Sequence, residues 1–160
     1  MNILCLGTGN SARSILLETI LNEEGMMQGI RAFSAGQSPV EKVNPHALKI
    51  LEEKEYDILP LEPQSWDIFA GDEAPMMDIV ITVCDAAAEA AQPEWPGNPV
   101  VAHWPVPDPS KASEAEQEKA VRAAYDLLNR RVEALLDLPF DNMEQGELKA
   151  TLDRVAGQVT

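Results

Sequence analysis

One stretch near the N-terminus, Asn2-Ile-Leu-Cys-Leu-Gly-Thr-Gly-Asn-Ser-Ala-Arg-Ser-Ile15, limits what this chain can fold into more than any other. The apolar run from Ile3 to Leu6 predicts a buried strand. Gly7-Thr8-Gly9-Asn10-Ser11 predicts a turn, and Ala12 to Asn22 carries helical spacing with Leu16, Ile20 and Leu21 on one side. A strand that passes through a glycine-rich turn into a helix N-terminus gathers free N–H groups at the positive end of a helix dipole. Arg13 sits where its guanidinium can fold over the same concavity and grip two oxygens at once. Such a place suits a tetrahedral oxyanion.

The rest of the chain alternates. Ile30 to Gly36 predicts a second strand, after a first helix closed by Gly25. Asn44-Pro45 opens a helix with a cap residue followed by proline, and Ala47, Leu48 and Leu51 keep its spacing. Gln64 to Ala70 predicts a short helix. Met77 to Cys84, β-branched and apolar throughout its middle, is the run expected of a central parallel strand. Ala86 to Ala91 allows a helical turn or two, and Val100 to Trp104 predicts a fourth strand. Ser113 with Glu116 predicts a capping box for a long helix to about Leu136, buried along Val121, Ala124, Leu128, Val132 and Leu135. Pro139 ends it, and Leu148, Leu152 and Val155 give the tail a weaker helical pattern. Strands alternating with helices imply right-handed crossovers and a parallel sheet covered on both faces. We expect an α/β domain over residues 1–138, a four-stranded parallel doubly wound sheet, with a helical C-terminal extension over 139–160.

The Gly-Thr-Gly-Asn-Ser-Ala-Arg-Ser motif resembles the phosphate loop of the low-molecular-weight protein tyrosine phosphatases and the thioredoxin-coupled arsenate reductases. Those families carry Cys-x5-Arg-Ser. Counting back from Arg13 places their nucleophile at position 7, where this chain has glycine. Ser34-Ala-Gly36, Asn44-Pro45, Val83-Cys-Asp85, His103-Trp104 and Asp108-Pro109 follow in family order, so the resemblance spans roughly residues 2 to 137. It implies that Thr8, Gly9, Asn10, Ser11, Ala12, Arg13 and Ser14 line the oxyanion site. It also implies that Asp108 corresponds to the general acid, here vestigial, with a pKa raised by facing an anion. Cys84 corresponds to the reductases' second thiol, and Gln92 stands where a third is expected. Alone, Cys84 cannot store two electrons as an internal disulfide, and is expected to be a small, half-buried thiol. Cys5 is out of register, with seven residues rather than five between it and Arg13, and is expected to pack in the core. Trp66, Trp95 and Trp104 are candidates to wall the site or to anchor loops.

Losing both Gly7's thiol and Gln92's points to a natural pseudoenzyme: an arsenate-reductase-like protein that binds phosphate, sulfate or arsenate, or a phosphorylated partner, without turnover. Two other readings remain open. One is an active reductase or phosphatase that uses Cys84, or a Cys-to-Gly variant of one; the other is a non-catalytic interaction module. The formal charge of −15 argues against nucleic-acid and anionic-membrane partners and makes Arg13 an isolated positive point. No stretch approaches the ~20 apolar residues of a membrane helix, so a cytoplasmic protein is expected. Two cysteines, and histidines only at 46 and 103, match no zinc spacing, and neither metal nor cofactor is expected.

Overall fold

The computed structural model describes residues 1–160. Strand β1 (Asn2–Gly7) runs into helix α1 (Arg13–Gly25) and returns to β2 (Arg31–Gly36). Helix α2 (Pro45–Glu53) and a 3-10 turn, Trp66–Phe69, precede β3 (Ile79–Thr82). Then come α3 (Asp85–Glu89), β4 (Val100–His103), α4 (Gln117–Leu136) and α5 (Gln145–Gln158). The four strands are all parallel, in the order β2-β1-β3-β4. The chain leaves β1 toward β2 on one side and leaves β3 toward β4 on the other. The sheet therefore reverses between β1 and β3, the position where α/β sheets open a crevice beyond their strand ends. The loop after Gly7 emerges there.

Strand alternation divides the core. Ile3, Cys5, Ile79 and Ile81 face a large layer with α1, α2, α4 and α5. Leu4, Leu6 and Val80 face a thinner layer built by Trp66, Phe69, Met77 and Trp95. The second layer owes little to helices: Ala90, at the end of five-residue α3, packs against it, and Trp66 meets Trp95 edge-on at 6.0 Å. Helix α5 belongs to the large layer through Leu148, Leu152 and Val155, and the buried Trp104 indole donates to the Leu152 carbonyl at 3.0 Å.

Several local expectations meet a different outcome. Asn44 caps α2 as expected, accepting from the His46 and Ala47 N–H groups. The capping box at Ser113 does not form. The Glu116 N–H bonds to the Ser113 carbonyl, residues 114–116 make a 3-10 turn, and α4 starts at Gln117 without a side-chain cap. Helix α1 does end at Gly25 as expected, but not in a left-handed conformation, which Gly29 adopts at φ 78° after an intervening 3-10 turn. Gly25 is needed for space, because a Cβ there would lie 2.7 Å from Ile30 Cδ1. The helix expected at 64–70 is the shorter 3-10 turn. None of the three tryptophans walls the loop: Trp66 and Trp95 pack beneath the sheet, and Trp104 is sealed under α5.

Leu152 is fully buried between α5 and the sheet. Leu152→Ala should cost about 2–5 kcal/mol of unfolding free energy, because burial lost and cavity left behind add. Urea denaturation reads this directly. A loss within experimental scatter would show that α5 is not anchored there.

Candidate oxyanion site

The loop after β1 is shaped by bonds on its outer side. The Thr8, Gly9 and Ser11 carbonyls accept from the Ser38, Val40 and Asn44 N–H groups at 2.9, 3.0 and 2.8 Å. The N–H groups from Thr8 to Ala12 donate to no backbone carbonyl, and these residues line a cavity of about 290 Å³. Asn10 is the brace. It is buried with φ 51°, a conformation asparagine tolerates better than most residues. Its Nδ2 donates to the Ser14 and Ser34 hydroxyls at 2.9 and 3.0 Å, and its Oδ1 accepts from the Gln64 N–H at 2.8 Å. Gly36 lies opposite: its N–H donates to the Gln64 carbonyl, and a Cβ there would stand 2.4 Å from the Thr8 carbonyl oxygen. Only a glycine lets β2 approach the loop so closely.

Arg13, the first residue of α1, reaches over the cavity from the side. Its Nη1 donates to the Val106 carbonyl at 2.9 Å, and its Nη2 lies 3.7 Å from Asp108 Oδ1. Asp108 also accepts from the Ser110 N–H and hydroxyl at 2.9 and 2.8 Å. Partial burial pushes the Asp108 carboxyl up, but the Ser110 bonds, Arg13 and Lys111 outweigh it and hold the group below the usual carboxylate range. The raised pKa expected beside a bound anion is thus opposed, without one, first by the Ser110 hydrogen bonds and then by the two cations.

Gly7 closes the cavity floor. A Cβ built there would meet Ser14 Oγ at 3.2 Å and Val83 Cγ2 at 3.7 Å, so a side chain at this position requires the Ser14 hydroxyl to shift slightly. Cys84 does not replace a thiol at that floor. It caps α3 at the next strand end, is buried rather than half-buried, and lies 3.3 Å from the Thr8 hydroxyl. Its thiol borders a second cavity beside the first. Gln92 is committed elsewhere, donating to the Ala87 carbonyl and accepting from the Trp95 indole. Cys5 is fully buried below the loop, and burial, then Glu18, push its thiol pKa up.

The structure adds residues that the motif alone did not single out. Ser34 and Gln64 complete the Asn10 brace; nothing local marks Gln64. Glu18 lies one turn after Ser14 on α1, a spacing that put it under the loop from the start. Burial pushes its carboxyl up to about 7, with Ser34 opposing in part. His103 bridges Thr82 and Asp85, at 2.7 Å to the hydroxyl and 2.9 Å to the carboxylate, and so ties β4 to the start of α3. Arg13 is not an isolated cation either: Lys111 and Arg131 border the adjoining cavity.

The model of the low molecular weight phosphotyrosine protein phosphatases matches residues 2–150. The chain belongs to that family. Among curated relatives, an arsenate reductase of Halalkalibacterium halodurans is 31% identical over 137 residues, 84% of this chain and 94% of the relative. One from Bacillus subtilis (strain 168) is 34% identical over 121 residues, 73% of this chain and 80% of the relative. A solved structure described as an arsenate reductase in the phosphate binding state superposes with a TM-score of 0.63 at 24% identity, covering 85% of this chain and 96% of the other. A low molecular weight protein tyrosine phosphatase from T. tengcongensis gives 0.60 at 21%, covering 83% and 98%. At these identities the structures establish the fold: a four-stranded parallel sheet of the phosphatase type. No helix is long and apolar enough to cross a membrane.

Glu18 gives the fold a pH dependence. Its folded pKa, about 7, stands above the unfolded value near ~4.3. The folded state therefore holds the extra proton. The contribution is complete below the unfolded value and is lost as pH rises through about 7. Glu18→Gln should remove that loss, so its advantage over the parent should grow between pH 5 and pH 8 in denaturant titrations. Parallel curves for the two proteins would contradict this assignment.

Proposed function

We propose that the chain binds a tetrahedral oxyanion, phosphate or arsenate, in the Gly7–Ser14 loop and does not turn it over. The observation that carries this is a braced loop whose N–H groups from Thr8 to Ala12 are unspent, beside Arg13 and above a glycine floor. Arg13 has its Nη2 only loosely held by Asp108, so that arm can pass to an anion at little cost. Arsenate reductases among the curated relatives, and a fold neighbour described in a phosphate-binding state, support the class of ligand. Covalent catalysis needs a nucleophile in line with the bound centre. Gly7 carries none, and Cys84 lies on a neighbouring wall with its sulfur against Thr8.

Calorimetric titration tests the binding. Phosphate and arsenate should bind the parent chain, and Arg13→Ala should weaken them by about 2–4 kcal/mol through loss of charge-assisted bonds. Undiminished affinity in the variant would sink the proposal. Neither aryl phosphate hydrolysis nor thioredoxin-dependent arsenite release should be measurable. Arsenite production abolished by Cys84→Ser would instead favour a reductase working through that thiol.

Gly7→Cys tests whether the loop is otherwise complete. Ser14, the loop N–H groups and Arg13 should lower the new thiol from about 8.5 into the ~3.5–7.5 range of activated cysteines. Its thiolate would attack phosphorus, and Asp108 would protonate the departing aryloxide. Because Asp108 is held low, hydrolysis should fall as pH rises from acidic to neutral. A variant with a depressed thiol pKa, bound phosphate and no hydrolysis at any pH would show that Asp108 cannot serve.

A further inference from the structure

Beside the oxyanion cavity lies a larger one, of about 750 Å³, and the two share Thr8, Arg13, Val83 and Asp108. The larger cavity opens between the 105–108 loop and helices α4 and α5, within the size range of small-molecule sites. Its walls are mostly apolar, from Pro105, Val106, Leu127 and Ala156. Arg131 is set into them. It is 98% buried, on the apolar stripe of α4, and its Nε and Nη1 donate to the Val159 and Pro105 carbonyls at 2.9 Å each.

No carboxylate pairs with Arg131, although six other ion pairs form in the molecule. Two carbonyl bonds satisfy donors without neutralising the charge, and a buried unpaired cation is costly. The two side-chain carboxylates that line this cavity are engaged elsewhere: Asp85 with His103, and Asp108 with Ser110 and Arg13. Lys111, exposed at the rim, forms no ion pair either. One cavity thus continues the oxyanion loop, has an apolar middle, and is lined by two cations that form no ion pair.

We infer that this cavity is a subsite for a second anionic group, so that the ligand is an organic phosphate with an apolar body and a further carboxylate or phosphate. This rests on the oxyanion reading of the loop. The phosphoryl end occupies the Gly7–Ser14 cradle, the body lies along Val106 and Leu127, and the second anion meets Arg131 and Lys111.

The test compares inorganic phosphate, phenyl phosphate, 4-carboxyphenyl phosphate and the shorter 2-phosphoglycolate by calorimetry on the full chain. At least one bis-anion should bind about tenfold more tightly than phenyl phosphate, the gain of a charge-assisted bond. Arg131→Lys should keep part of that gain and Arg131→Met should abolish it, read in each variant as the ratio of bis-anion to inorganic phosphate affinity. Arg131 also clamps Val159 and Pro105, so Leu127→Trp, which fills the cavity, and Lys111→Met, at the exposed rim, serve if Arg131→Met does not fold. The first should remove the preference for bis-anions and the second should reduce it. A purely structural Arg131 would lower melting temperature and leave the ligand ranking untouched. Tight inorganic phosphate with no gain for either bis-anion overturns the subsite and leaves the oxyanion loop standing. No binding of inorganic phosphate overturns the loop reading itself.

Discussion

The side chain of Asn10 holds the site together. A loop whose N–H groups from Thr8 to Ala12 donate to no backbone carbonyl must take its shape from other bonds. Asn10 supplies it from the left-handed region, where its own amide bonds Ser14 on α1, Ser34 on β2 and the Gln64 backbone beyond β2. Three separate segments are thereby joined at one buried amide. Each neutral bond contributes about 0.5–1.5 kcal/mol net, but leaving any of these buried groups unpaired would cost more. The penalty fixes the loop's geometry more firmly than the bond energies suggest. Gly36 works from the other side, since only a bare Cα permits β2 to stand so near the Thr8 carbonyl.

That brace depends on the sheet. Gly7 pairs with Gly36 and Cys5 with Ser34 at the β1–β2 register, which delivers the Ser34 hydroxyl beneath the loop. A slip of one residue would turn Ser34 to the opposite face and put Phe33 in its place. The register is held by burial on both faces, with Ile3 and Cys5 in one layer and Leu4 and Leu6 in the other. Packing of strands against helices thus reaches the loop after β1 through one hydroxyl. The 105–108 loop is fixed in a similar way: Arg13 grips the Val106 carbonyl from one side and Arg131 the Pro105 carbonyl from the other.

Much of this was legible in the residues, for identifiable reasons. Buried parallel strands need continuous β-branched and apolar runs, and Ile79-Val80-Ile81 announces itself. Asn44-Pro45 states a cap and a first helical position in two residues, and the structure keeps both. Ser113 and Glu116 have the same kind of pattern and fail, because a backbone bond between them takes the donor that a cap would satisfy. Gly25 looked like a helix stop, yet its use is set by Ile30, which folds back against it. Tryptophans beside a predicted site invite a role there, but which face they occupy is a tertiary fact. Arg131 carried a signal that periodicity could have shown, since it falls three residues after Leu128 on the stripe that buries α4. The charge of Asp108 had none, because it depends on Ser110, Arg13 and Lys111 meeting in space.

The acidity of the chain sharpens the role of these local donors. A molecule at −15 repels phosphate and arsenate at long range, and mobile ions screen that repulsion beyond about 8 Å at physiological salt. Attraction must therefore come from groups within a few ångströms, already aimed. Backbone N–H groups and a helix start meet this requirement better than a cluster of lysines, whose side chains must be ordered at an entropic cost on binding. Arg13 fits the same logic, because Val106 and Asp108 hold its guanidinium before any anion arrives. Asp108 lines the cavity and opposes an incoming anion, and its bonds to Ser110 draw its negative charge toward donors of its own. The surface charge and the loop thus operate at different distances, so strong overall acidity is compatible with the proposed oxyanion site.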